Sequence, residues 1–145
     1  MVAALSLGSP LAAQQGRELG LQGIGTASDP ALAVVALYAG LRTSTRTRLS
    51  ASAGAGASSG DLAFRGEILG HFLLSPGKRQ GAAFYFAGGV AAATGPVDQG
   101  YLVLTVGVED RPGAPTGWAA EIGVGGGLRV GLGYRWRWLG SAPAY

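Results

Sequence analysis

The 145-residue chain contains no cysteine, which excludes disulfides, thiolate metal sites and a lipidated N-terminal cysteine. Charge is scarce: 13 % of residues are charged, against roughly 25 % in an ordinary soluble domain, so part of the surface is not expected to face water. Long apolar runs are missing too. Nothing approaches the 18 or so consecutive apolar residues of a spanning helix, although 48 % of the residues are hydrophobic. In a bilayer every backbone group needs a partner inside the protein, and the spanning structure left when helices are excluded is a closed barrel of strands. The net charge of +3 does not point to nucleic acid, because no basic run exceeds Lys78-Arg79. A single histidine gives no ligand cluster, and the glycines of 123–127 lead into a strand-like segment rather than a helix. No metal, phosphate loop or cofactor is therefore expected.

Glycine is abundant, 27 residues in all. The first residues read differently from the rest. Val2 to Leu7 are mostly apolar, Gly8-Ser9-Pro10 breaks the stretch, and Leu11-Ala12-Ala13 supplies small residues before Gln14. This resembles the end of a secretory signal peptide whose basic region would lie before Met1. The expected organisation is a leader or signal-peptide remnant over 1–13, one domain over 14–138 and a tail over 139–145.

Eight strand-like segments follow: Glu18 to Ala27, Leu32 to Arg42, Arg46 to Ala57, Leu62 to Leu74, Ala82 to Ala93, Tyr101 to Glu109, Trp118 to Gly125 and Leu128 to Trp138. Turn-forming residues separate them, among them Ser28-Asp29-Pro30, Ser58-Ser59-Gly60-Asp61, Ser75-Pro76-Gly77-Lys78 and Asp110-Arg111-Pro112-Gly113. All four aspartates fall in these breaks.

Parity decides the faces, because strand side chains alternate with period two. In Leu62 to Leu74 the even positions carry Leu62, Phe64, Ile68, Phe72 and Leu74, while the odd ones carry Arg65, Glu67 and His71. In Leu128 to Trp138 the even positions carry Val130, Leu132, Tyr134, Trp136 and Trp138, against Arg129, Arg135 and Arg137. The segments around Trp118 and Leu49 divide in the same way. Both faces of the second segment are rather apolar, which leaves the register of the first two open. Small residues accompany the charges, as the narrow interior of an eight-stranded barrel requires. The pattern predicts an all-β, eight-stranded antiparallel up-and-down transmembrane β-barrel, apolar outside and polar within.

With both ends of the barrel at the periplasmic side, Phe72, Phe84, Phe86, Trp118, Tyr134, Trp136 and Trp138 would form an aromatic girdle at that interface, with Phe64 near the other. The stretch Arg129-Val130-Gly131-Leu132-Gly133-Tyr134-Arg135-Trp136 resembles the assembly signal that ends outer-membrane barrels, carried here by Arg129, Gly131, Tyr134 and Trp136, although the chain runs on to Tyr145. Segment count, girdle and signal together resemble the small OmpA/OmpX-like outer-membrane barrels of Gram-negative cell envelopes over residues 17–138. The resemblance implies an outer-membrane location, contact with lipid and lipopolysaccharide, and insertion by the barrel assembly machinery.

The ionisable residues expected to line the lumen are Arg48, Arg65, Glu67, His71, Glu109, Glu121, Arg129, Arg135 and Arg137, joined by Glu18 and Arg42. Enclosed charges must pair, so an Arg/Glu network is expected, with Glu121 meeting Arg129 across the last hairpin and strand eight closing near Glu18. The expected function is a monomeric, non-enzymatic structural or interaction barrel with a plugged lumen and at most minor porin-like permeability. Two alternatives stand beside it. A soluble lipocalin-like barrel would bury the aromatics around a ligand, and an outer-membrane lipid-modifying enzyme would use His71. Ser75, four residues from His71 along a strand, lies about 13 Å away, too far to be its nucleophile. Asp29, Asp61 and Asp98 share the outer loops, where they could meet divalent cations.

Overall fold

The computed structural model describes residues 16–27, 31–95 and 98–139. The leader expected over 1–13, the tail beyond Leu139, and Asp29 and its neighbours lie outside the described residues. Eight strands follow one another: β1 (Arg17–Ala27), β2 (Leu32–Arg42), β3 (Thr47–Ser58), β4 (Asp61–Leu73), β5 (Ala82–Thr94), β6 (Gln99–Asp110), β7 (Thr116–Val124) and β8 (Leu128–Trp138). Each pairs antiparallel with its sequence neighbour, and β8 returns to β1 to close the barrel. Closure removes both sheet edges, so every backbone ladder is completed within the chain.

Strand boundaries differ from the sequence reading by one or two residues at several ends. Asp61 and Asp110 are the clearest cases, since both belong to strands rather than to breaks. Asp61 pairs with Ser58 across a two-residue turn, in which Ser59 and Gly60 have φ of 52° and 79°. Positive φ at both central positions is what a tight hairpin with right-handed twist demands.

The strands are 9 to 13 residues long. Tilted as in a barrel of this size, they give a wall roughly 25 to 30 Å tall, the thickness of a hydrocarbon layer. Side chains that face out of this wall are apolar from β1 to β8, with Leu102 80 % exposed and Val35 and Leu37 both 69 % exposed. The charged residues on that face, Arg17 and Asp110, stand at strand ends.

The inward face is mixed. Besides the ionic groups it carries Ile24, Val34 and Ala36 in one apolar cluster and Leu69, Leu73, Tyr85, Ala87, Ala91 and Val103 in another. The sequence places small residues beside the charges on this face; the structure adds these larger side chains, and glycine makes room for the largest of them. Tyr85 lies over Gly107, its register partner, and a Cβ there would collide with the ring.

The two ends differ. One holds the start of β1, the end of β8 and the connections 43–46, 74–81 and 111–115; the other holds the end of β1, the start of β2, the end of β5, the start of β6 and the connections 59–60 and 125–127.

Candidate functional site: the charged lumen

Parity brings β1 and β2 into register with even positions inward, so Glu18, Gln22 and Tyr38 point to the axis. Odd positions of β4, β6, β7 and β8 do the same for Arg65, Glu67, His71, Glu109, Glu121, Arg129, Arg135 and Arg137, and the even positions of β3 for Arg48. Arg42 reaches in from the end of β2. Six arginines thus meet four glutamates inside one wall.

They form two groups along the axis. Toward the end that carries the termini of the barrel, Glu18 and Glu109 are ringed by four guanidinium groups. Arg48 Nη1 lies 3.2 Å from Glu18 Oε2 and 3.1 Å from Glu109 Oε2, bridging the two carboxylates. Arg42 Nε is 3.1 Å from Glu18 and Arg135 Nη1 is 2.8 Å from Glu109. Arg137 reaches both, at 3.4 Å from Glu109 and 3.7 Å from Glu18. The pair Glu18 and Arg137 also face each other in the β1–β8 register, the seam that closes the barrel.

Toward the other end, Arg129 sits between two carboxylates. Its Nη1 is 2.7 Å from Glu121 Oε1, and its Nε donates to Glu67 Oε2 at 2.8 Å. Arg65 adds a bond of 2.9 Å to Glu67 and one of 3.0 Å to the Gly125 carbonyl. Aromatic rings separate the two groups. Arg135 stacks 4.3 Å from the Tyr38 ring centroid, Arg48 stands 5.3 Å from that of Tyr85, and the Tyr85 hydroxyl donates to Glu121 Oε2. Tyr38 and Tyr85 were missed as members of the site. Tyr85 was open to inference, since it stands between the outward-facing Phe84 and Phe86.

His71 bonds to residues on β3 rather than to Ser75. Arg48 Nη2 is 3.1 Å from His71 Nδ1, and Ser50 Oγ is 2.8 Å from His71 Nε2. A guanidinium only donates, so Nδ1 must accept and the ring proton sits on Nε2, which then donates to Ser50 Oγ. In this tautomer His71 cannot take a proton from Ser50, and among the described residues its ring nitrogens meet Arg48 and Ser50 rather than a carboxylate.

Near the barrel termini the surplus guanidinium groups hold main-chain carbonyls. Arg42 Nη1 donates to Pro76 O at 3.1 Å and its Nη2 to Pro112 O, while Arg137 Nη1 donates to Arg111 O at 3.1 Å. The 74–81 and 111–115 connections are joined by Gly113 N donating to Lys78 O at 2.8 Å, and Pro112 is fully buried beneath them. These loops are folded over the mouth.

On the outside, Phe72 pairs with Phe86, Phe84 with Val108, Trp118 with Tyr134 and Trp136 with Leu19, all toward the barrel termini. Trp138 is 57 % exposed. The Tyr134 and Trp136 rings meet edge to face at 5.2 Å. The aromatics occupy two arcs, β4–β5 and β7–β8, and leave the outer face of β1 to β3 without an aromatic ring. Phe64 stands toward the opposite end, beside Ala55 and Thr94. Of the assembly-signal residues, Arg129 and Gly131 face inward and Tyr134 and Trp136 outward.

No family model and no curated protein matches the sequence. Among solved structures, the chain is similar to the N-terminal β-barrel domain of Pseudomonas aeruginosa OprF, with a TM-score of 0.71 and 13 % identity, covering 85 % of this chain and 97 % of that one. It is also similar to Neisserial surface protein A (NspA), with a TM-score of 0.51 and 9 % identity over 87 % of this chain and 97 % of that one. At these identities the likeness is one of fold. The chain has the all-antiparallel, eight-stranded fold of the small OmpA/OmpX-like outer-membrane barrels.

Proposed function

We propose that the protein is a bacterial outer-membrane barrel with a structural or interaction role, whose lumen is sealed by its own Arg/Glu network. The observation that carries this reading is the contrast between the two faces of one wall. Exposed leucines, valines and aromatics cover the outside from strand to strand, while Arg129, Arg48, Glu18 and Glu109 inside are essentially inaccessible. Water on both faces would leave the outside unpaid for by any burial, whereas hydrocarbon outside satisfies it. In this reading the aromatic arcs lie at the periplasmic interface, and Tyr134 and Trp136 belong to a signal read by the barrel assembly machinery. Lipid and lipopolysaccharide are its surroundings, and the barrel acts as a monomer.

A lipocalin-like role needs an apolar interior open to a ligand, and the ion pairs fill that space. A lipid-modifying role needs a nucleophile that a lipid can reach, and Ser50 is enclosed with a histidine in the wrong tautomer. Porin-like permeability needs a continuous path past Arg48 and Arg129 and past the loops held by Arg42 and Arg137.

Planar-bilayer recording of refolded protein tests the seal. The native barrel is expected to give no steady conductance, and Arg135→Ala, which removes the stacking on Tyr38 and one bond to Glu109, is expected to give at most brief openings. A stable ohmic current from the native protein would contradict the plug and restore the conduit.

A further inference from the structure

The two ionic groups of the lumen are not balanced alike. Toward the opposite rim, Arg65 and Arg129 meet Glu67 and Glu121, and the charges cancel. Toward the barrel termini, the four guanidinium groups of Arg42, Arg48, Arg135 and Arg137 meet only the two carboxylates of Glu18 and Glu109, which leaves two positive charges over. No other glutamate exists in the chain to offset them, and Asp110, the aspartate at this end, is paired with Arg111 at 2.8 Å. Arg42 and Arg137 turn instead to main-chain carbonyls of the 74–81 and 111–115 connections, which supply dipoles and no charge.

The surplus is concentrated. Glu109 Oε2 lies 3.1 Å from Arg48 Nη1, 2.8 Å from Arg135 Nη1 and 3.4 Å from Arg137 Nη2, so three like charges share one oxygen. Much of their donor capacity is unused. Among the described residues Arg135 donates through Nη1 alone, and Arg48 Nε, Arg137 Nε and the Tyr38 hydroxyl are enclosed without a hydrogen-bond partner. Tyr38 stands at the same place: Arg135 stacks 4.3 Å from its ring centroid, and its hydroxyl reaches Gly40, the register partner of Glu18. Enclosed donors and unbalanced charge both raise the energy of a sealed interior, and one ligand would relieve both.

We propose that this end of the lumen is a binding site for one small monovalent anion of the halide class, held by Arg48 Nε, the free nitrogens of Arg135 and the Tyr38 hydroxyl. The inference rests on the sealed lumen proposed above. The sign of the ligand follows from the surplus charge, and its chemistry from the unused groups, which are N–H and O–H donors in search of an acceptor. Its size follows from enclosure, since Arg48 is 1 % and Arg135 and Tyr38 are each 3 % exposed. A spherical ion accepts from donors that share no plane, as groups from β2, β3 and β8 do not. Bound there, it ties those three strands together through charges that otherwise repel.

The test follows the urea midpoint of the refolded full chain in detergent while sodium chloride replaces sodium gluconate at constant ionic strength. The midpoint is expected to rise with chloride and then saturate, as linkage to a single site requires. Tyr38→Phe, which removes one hydrogen bond to a charged ligand, is expected to need on the order of tenfold more chloride for the half-maximal rise, and Arg135→Gln is expected to abolish the rise. A midpoint indifferent to chloride, or one that climbs without saturating and equally in all three proteins, would overturn the site. Crystals of the native protein grown in sodium bromide give a reading that needs no variant. An anomalous peak beside Arg135 and Tyr38 is expected, whereas density there without anomalous signal would assign the position to water and refute the proposal. Chloride independence in a closed, heat-modifiable barrel refutes the site alone; a steady chloride current across a planar bilayer would refute the sealed lumen and the bound ion with it.

Discussion

At the scale of single residues, the lumen behaves as a set of mutually dependent charges. Arg129 joins Glu67 and Glu121, and removing it leaves Glu67 with Arg65 as its remaining cation and Glu121 with the Tyr85 hydroxyl alone, both buried. Arg129→Ala is expected to lower the unfolding free energy by about 3 to 5 kcal/mol, read from urea midpoints in vesicles or detergent. Arg129→Lys should recover only part of this, because a point charge cannot reproduce bonds to two carboxylates from one planar fork. An unchanged midpoint for Arg129→Ala would mean that the pairs contribute nothing to the barrel. Tyr85 depends on a glycine in the same way. Gly107→Ala drives a methyl into the Tyr85 ring and is expected to cost about 1 to 3 kcal/mol, with loss of the tyrosine bond to Glu121. A Tyr85→Phe background separates the two contributions, since the hydroxyl bond is already absent there.

At the scale of elements, hairpins and registers set which of these residues meet. The 59–60 turn needs two left-handed residues, and nothing lies near the position a Gly60 Cβ would occupy. Gly60→Ala therefore isolates backbone strain and is expected to cost about 1 to 2 kcal/mol without altering the lumen. A neutral substitution would show that this turn is not held in the observed conformation. All eight strands were legible in the sequence because the period-two alternation is strong in Leu62 to Leu74 and Leu128 to Trp138. Their ends were less legible, since alternation reports a face and not where a ladder stops; Asp61 and Asp110 look like turn residues yet continue their strands. In β2 the inward Val34 and Ala36 are as apolar as the outward Val35 and Leu37, so parity carried no signal there. What fixes that strand is its pairing of Tyr38 with Gly20 on one side and Ser52 on the other.

At the scale of the whole molecule, the chain is organised as an inverted protein with ions at the axis and hydrocarbon-like side chains at the surface. The membership of the charged lumen could be read from alternation, but its wiring could not. Glu18 and Glu109 come together only because closure places β8 beside β1 and the tilt of the wall carries Arg48 to both. The cap over one mouth was equally invisible in the sequence, since it depends on arginines from β2 and β8 reaching carbonyls of connections far away in the chain. Because the chain has no native cysteine, single cysteines can be placed along β4 and spin-labelled without background. The measurement that bears most directly on the inverted arrangement is the accessibility of such labels, in phospholipid bilayers, to oxygen and to a water-soluble nickel chelate. Labels at Leu62, Phe64, Ile68 and Phe72 are expected to show high oxygen collision rates rising toward mid-wall, with the chelate excluded, while labels at Ala63 and Leu69 are protected from both. Loss of the period-two alternation, or free access of the chelate to Ile68, would contradict a wall that turns its apolar side to lipid.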